Sequence, residues 1–205
     1  MKAYFFTNNT DIKDEIERKG WRYIYVRETL SEDLAISSLQ AKYVKYLQFL
    51  DDPSYSDLKV HDEIIYVDHK FELTETHVER LNKLRDRPVL IRKTPRTKTS
   101  VWDEIEDAKG QERYLRFMPQ TLEYVQRKLA EGYSERMRVC NTGLICYAAH
   151  DHEVSRLVEQ VNRDLLEVGT SECQIIWSMV SQRFSSIIQM IEWTDLPILW
   201  KTPES

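Results

Sequence analysis

The sequence predicts a single-domain α/β fold with a mostly parallel central sheet, on three observations. Residues 2–7 and 21–26 are short apolar runs on either side of a polar, helix-forming stretch that ends at Gly20. Glycine readily takes the left-handed conformation that closes a helix, so this is a β-α-β opening. Ile64-Ile65-Tyr66-Val67 is a β-branched and aromatic run that stops abruptly at Asp68, as a strand covered on both faces does. Further apolar runs at 88–91 and 137–149 alternate with amphipathic stretches through all 205 residues, and no repeat, low-complexity tract or linker divides them.

Bulk properties narrow the class. Hydrophobic residues make up 41% and charged residues 31%, the balance of a soluble globular protein. No apolar run reaches the roughly 20 residues of a membrane span. The apolar core of Met1-Lys2-Ala3-Tyr4-Phe5-Phe6-Thr7 is too short for a signal peptide and reads as a first strand. Cys140, Cys146 and Cys173 form no CxxC pair, so neither a disulfide framework nor a zinc cluster is expected, and the setting is a reduced, cytoplasmic one. A net charge of −5 argues against broad nucleic-acid binding while leaving room for a local basic patch.

Residues 31–50 read as one long helix, with Ile36, Leu39, Tyr43, Tyr46 or Leu47, and Leu50 on its buried stripe and Lys42 and Lys45 on the flanks. A polar loop around Pro53 ends it. After the 64–67 strand, Thr74 is placed to cap a helix running to about residue 84. Ligands of open α/β sheets lie outside the carboxyl ends of strands, so Asp68 is either a ligand or metal contact or the cap of a turn.

The run Arg92-Lys93-Thr94-Pro95-Arg96-Thr97-Lys98-Thr99-Ser100 sets four cations among hydroxyls, which suits either phosphate binding or a solvated loop. Ser100 and Asp103 make a capping box for a helix over 101–109, closed by Gly110. Pro119 opens the next helix and Gly132 closes it, with Leu122, Val125 and Leu129 inward. In the strand over 137–149, Asn141-Thr142-Gly143 marks a bulge or a close approach of a ligand. His150-Asp151-His152 follows, and with no third ligand nearby Asp151 is favoured as the cap of a helix over 153–168 rather than the histidines as a metal pair. That helix carries Val154, Leu157, Val158, Val161 and Leu165 on one face and ends at Gly169. A helix over 171–184, a strand over 185–193 and an apolar tail over 196–200 complete the chain.

No serine elbow, Walker loop, GxGxxG or HExxH occurs. What remains is a constellation of polar strand ends, a basic hydroxyl-rich loop and the Asn-Thr-Gly break. A nucleotide-diphosphate ligand accounts for all three, with its base and ribose at the first strand and its diphosphate against lysine, arginine or a divalent ion.

Taken in order, these features resemble a known family. They are the first strand ending in Thr7-Asn8, the helix carrying Lys42, Ile64 to Asp68, Arg96 ahead of Val101-Trp102-Asp103-Glu104, and Arg113-Tyr114. Gln120 with Tyr124 and Gly132, Asn141 to Ile145, His150, and Gln174 at a helix start complete the series. The ordered set resembles the glycosyltransferase-like family long catalogued as a domain of unknown function, found in bacterial polysaccharide loci and in plant mucilage and pectin synthesis. The resemblance implies a GT-A type nucleotide-diphospho-sugar transferase sandwich. Such an enzyme moves a sugar from a nucleotide-sugar donor to an acceptor hydroxyl of a polysaccharide, glycan or modified nucleobase, with a nucleic-acid acceptor the less favoured.

On that resemblance, Thr7, Asn8 and Gln174 are donor-binding residues, and Lys42, Lys70, Arg92 and Arg96 meet phosphates. Asp68 meets the donor ribose or a metal, Asn141, Thr142 and His150 line the sugar or acceptor side, and Glu104 or Glu172 is the base. Two departures stand out. Cys173 precedes Gln174 where the family has Asp, and His69-Lys70 follow Asp68 where a small residue is common. GT-A enzymes often bind manganese through Asp-x-Asp, which Asp68-His69-Lys70 is not, so a need for manganese or magnesium stays open and Lys70 is a candidate substitute cation. The rivals are a metal-dependent nuclease or phosphoryl-transfer enzyme using Asp68, Lys70 and Glu104, and a non-catalytic nucleotide-sugar-binding module. Replacing Asp68 with alanine is expected to abolish ligand binding with little loss of fold.

Overall fold

A computed structural model describes residues 2–197, apart from 27, 28, 72, 95–97 and 138. The β-α-β opening is present as β1 (Tyr4–Thr7), α1 (Lys13–Arg18) and β2 (Arg22–Tyr25), with β1 and β2 parallel and Gly20 left-handed at φ 79°. These two strands form their own small sheet. Phe6 of β1 packs on Phe49 and Tyr55, which ties that sheet to the main core.

The predicted 31–50 helix is broken. Asp33 rather than Ser31 caps α2 (Leu34–Gln40), accepting from the amides of Ala35 and Ile36, and α3 (Lys42–Lys45) follows as a single turn. Leu47 then adopts a left-handed conformation (φ 56°) and the chain continues as a 3₁₀ turn over Gln48–Asp51. Burial explains the break. Tyr46, Leu47 and Phe49 all enter the core, while Ile36 on the expected stripe is exposed. On a straight helix these three would spread over about 160°, and the left-handed turn at Leu47 accompanies their entry into the core.

The main sheet has the order β3-β5-β4-β6, from β3 (Glu63–Val67), β4 (Val89–Lys93), β5 (Cys140–Ala148) and β6 (Ile188–Ile191). Three of its strands run one way, and β4 and β6 pair in parallel. The expectation of a mostly parallel sheet is corrected by β5. This nine-residue strand runs against both β3 and β4, so two of the three ladders in the sheet are antiparallel. Consequently the amino end of β5 lies beside the carboxyl ends of β3, β4 and β6.

Helices cover the sheet between these strands: α4 (Glu75–Leu84), α5 (Val101–Lys109), α6 (Glu112–Leu115), α7 (Met118–Ala130), α8 (His152–Val168) and α9 (Cys173–Val180). Local signals placed several of their ends. Thr74 caps α4, Ser100 and Asp103 form the capping box of α5, and Asp151 accepts from the amides of Glu153 and Val154 at the start of α8. Val89, Ile91, Ile145 and Tyr147 point to one face, against Ile105, Val125, Leu157, Val161 and Ile176. Leu90, Leu144 and Cys146 point to the other, against Phe71, Leu81 and Ile191. All three cysteines are free thiols and buried. No helix among the described residues is long and apolar enough to cross a membrane.

Candidate active site at the carboxyl edge of the sheet

Strand β3 delivers Asp68 as expected, and the backbone around it is tightly specified. The Asp68 amide donates to the Gly143 carbonyl at 2.8 Å, and the Asp68 carbonyl accepts from the Phe71 amide at 2.9 Å. Opposite stands the predicted break in β5. The register with β4 slips between Ile91, which faces Ile145, and Arg92, which faces Asn141, so 142–144 bulge out of the ladder. The bulge brings Gly143 against Asp68. A β-carbon on Gly143 would lie 2.4 Å from Phe71, 2.8 Å from Asn141 Oδ1 and 2.9 Å from Asp68 Oδ2. Only glycine admits that approach.

Around Asp68 gathers a charged cluster. Tyr66, two residues earlier on the same face of β3, donates its hydroxyl to Asp68 Oδ1 at 2.5 Å. Lys45 Nζ lies 3.3 Å from the same oxygen and Lys70 Nζ 3.7 Å from Oδ2. Lys45 is sealed at 3% exposure, over the Tyr66 ring, and reaches Cys173 Sγ at 3.7 Å. Thr142 Oγ1 stands 3.1 Å from the same sulfur. Lys42 is partly buried beside them, and its ammonium makes no hydrogen bond or ion pair with any described residue.

Electrostatics follow from this packing. Burial pushes the Asp68 carboxyl up, but Lys45, the Tyr66 hydroxyl, Lys70 and Lys42 more than reverse it and hold it below the usual carboxylate range. Burial opposes the Cys173 thiolate, yet the ammonium groups of Lys42 and Lys45 and the contact with Thr142 bring that thiol below its ordinary value. Burial lowers Lys42.

A second group adjoins the first through helix α9. Glu172 caps that helix by accepting from the Gln174 amide at 2.9 Å, and burial together with the Glu172 charge raises the pKa of the neighbouring Tyr114. Gln174 Nε2 donates to Glu104 Oε1 at 2.5 Å, and Lys98 bridges Glu104 and Asp107. Glu104 is 4% exposed, and burial together with the Glu172 charge raises its pKa despite Lys98 and Gln174.

Of the residues singled out from sequence, Lys42, Asp68, Lys70, Glu104, Asn141, Thr142, Glu172 and Gln174 are thus joined by contact or charge at one sheet edge. The others are not. Thr7 is occupied by the Asn9 amide, and Asn8 is exposed at the end of β1 in the separate small sheet. Arg92, two residues after Leu90, shares the face of that leucine, wholly buried, 3.6 Å from the Trp193 ring centroid and donating to the Leu196 carbonyl at 2.7 Å. Burial pulls its pKa down to about 10. His150 is exposed beyond the carboxyl end of β5. Because that strand is antiparallel, His150 lies beyond the opposite edge of the sheet from Asn141. Arg96 lies outside the described residues. Among the described cations of that run, Lys93 is paired to Glu192 and Lys98 to Glu104 and Asp107.

Sequence reading missed three contributors. Lys45 stands three residues after Lys42 on the same helical face, and Tyr66 two residues before Asp68 on the same strand face, so both were findable by periodicity. Lys98 was indistinguishable from its neighbours in a run of cations.

The fold has a counterpart among solved structures. The crystal structure of mouse xyloside xylosyltransferase 1, in its apo form, superposes with a TM-score of 0.50 over 93% of this chain and 71% of that one, at 10% sequence identity. At that identity the likeness is one of fold, a mixed α/β architecture shared with a glycosyltransferase. No protein-family model matches the sequence, and no curated protein matches it.

Proposed function

We propose that this chain is a glycosyltransferase that moves a sugar from a nucleotide-sugar donor to an acceptor hydroxyl. The observation that carries the reading is the convergence of Lys42, Asp68, Lys70, Thr142, Glu104 and Gln174 at the carboxyl edge of the sheet. This is the side on which α/β folds bind ligands, and the fold over most of the chain is one shared with a xylosyltransferase. In the reaction the sugar C1–oxygen bond to the diphosphate breaks, its electron pair stays on the diphosphate, and the acceptor oxygen bonds to C1. The acceptor proton passes to a carboxylate, for which Glu104 has the raised pKa that a proton acceptor needs. Glu172, engaged as the cap of α9, positions Gln174 and through it Glu104.

A thermal-shift panel of nucleotide sugars tests binding, since a ligand that binds only the folded state raises the melting temperature. Release of nucleoside diphosphate on adding candidate acceptors tests turnover. A shift without release would make the chain a binding module, the reading that the Cys173 substitution favours. If no nucleoside diphosphate or nucleotide sugar shifts the transition, the transferase reading falls.

A further inference from the structure

GT-A enzymes often hold the donor diphosphate through a divalent ion, and the residues here do not fit one. Both oxygens of Asp68 face donors, with Tyr66 and Lys45 on Oδ1 and Lys70 on Oδ2. In nucleotide enzymes such an ion takes one or two carboxylates beside waters and the substrate's phosphates, and the carboxylate of this cluster is already engaged on both oxygens. Among the described residues no group of three or more His, Cys, Asp or Glu side chains is placed to hold an ion. A dication entering beside Asp68 would meet the ammonium groups of Lys42, Lys45 and Lys70.

We propose that these three lysines take the place of the divalent ion, gripping the donor diphosphate directly, with Lys42 as the principal contact. The proposal rests on the transferase reading above. Its physical basis is an imbalance of charge. Lys42, Lys45 and Lys70 all act on the one Asp68 carboxylate, and Glu172 is engaged by the α9 amide. Lys45 is held in place by its ion pair with Asp68 and its contact with the Cys173 sulfur. Lys70 stands at the rim, 42% exposed. Lys42 is half-buried and its ammonium is without an ion pair among the described residues, which is costly unless an anion completes the site. Fixed cations of this kind stabilise the negative charge that develops on a departing diphosphate without reorganising.

Isothermal titration of the full chain with UDP, GDP and ADP tests the proposal, each in excess EDTA and in excess manganese. At least one nucleotide should bind, with affinities in the two buffers within about threefold. Lys42→Met should weaken that binding roughly tenfold or more, as loss of a charge-assisted contact does. Lys42→Arg should retain most of it, and Lys13→Met, on the distant α1 surface, should change nothing. Melting curves check that Lys42→Met stays folded, and Lys70→Met provides a second, more exposed probe. Binding that needs manganese overturns the proposal and leaves the transferase reading standing. Binding in EDTA undiminished by both Lys42→Met and Lys70→Met overturns the assignment of the lysines. Absence of binding in both buffers removes the transferase reading and the proposal together.

Discussion

Asp68 and Lys45 hold each other in place, and this changes what a substitution at Asp68 means. From the sequence, alanine there removes ligand binding with little loss of fold. Lys45 is sealed beneath Asp68, however, and would be left buried with only the Cys173 sulfur in reach. Breaking such a pair from one side costs about 3 kcal/mol or more. Asp68→Ala should therefore lower stability by that order in a urea titration, and the double change Asp68→Ala/Lys45→Met should recover most of it while the nucleotide response stays lost.

The same pair sets a pH dependence. Asp68 has a lowered carboxyl pKa in the fold, so its contribution to stability is complete above the unfolded value of 3.8 and is lost as pH falls through the lowered one. Melting temperature should fall across that acid range, and less steeply in Lys45→Met. Glu104 has the opposite sign. Its folded pKa is raised, so its favourable share is present below the ordinary value of 4.5 and disappears as pH rises through the raised one. Glu104→Gln should leave stability at pH 7 unchanged or higher while abolishing turnover, a pattern typical of a residue kept for chemistry.

At the scale of elements, the bulge in β5 shapes the site. Gly143 has an ordinary negative φ, so its requirement is space rather than backbone freedom. Gly143→Ala would push its methyl group into Phe71, Asn141 and Asp68, and overpacking of this kind costs about 1–3 kcal/mol. The nucleotide-induced rise in melting temperature should shrink with it, because Asp68 is among the displaced groups. This element was legible in the sequence, since small and polar residues interrupting an apolar strand at a glycine mark a bulge or a close backbone approach. The caps at Thr74, Ser100 and Asp151 were legible for a similar reason: a cap is a contact between residues two or three apart and needs no tertiary context. The 31–50 segment was not. Its break at Leu47 comes from core burial of Tyr46, Leu47 and Phe49 together, which no helical period encodes.

At the scale of the whole molecule, the direction of β5 decides which predicted residues meet. Running β5 backwards places Asn141 and Thr142 beside Asp68 and carries His150 to the opposite edge. His150→Ala should accordingly leave nucleotide binding and turnover unchanged, whereas Thr142→Val should impair them. Core and site should also separate. Leu157→Ala, wholly buried under the sheet, should cost about 3 kcal/mol and lower the melting temperature by about 6–12 °C while the nucleotide-induced shift persists.

By itself the sequence determined the order of strands and helices, most of their ends, the buried stripe of α8, and the strand end that carries Asp68. Each of these depends on residues within a few positions of one another, where periodicity and capping chemistry act. Only the tertiary structure decided the antiparallel course of β5, the inward turn of Arg92 and Lys98, and the meeting of Lys42 and Lys45 with Cys173. Those outcomes depend on strand pairing and charge balance between segments up to 128 residues apart, and local pattern carries no information about which distant partner will be found.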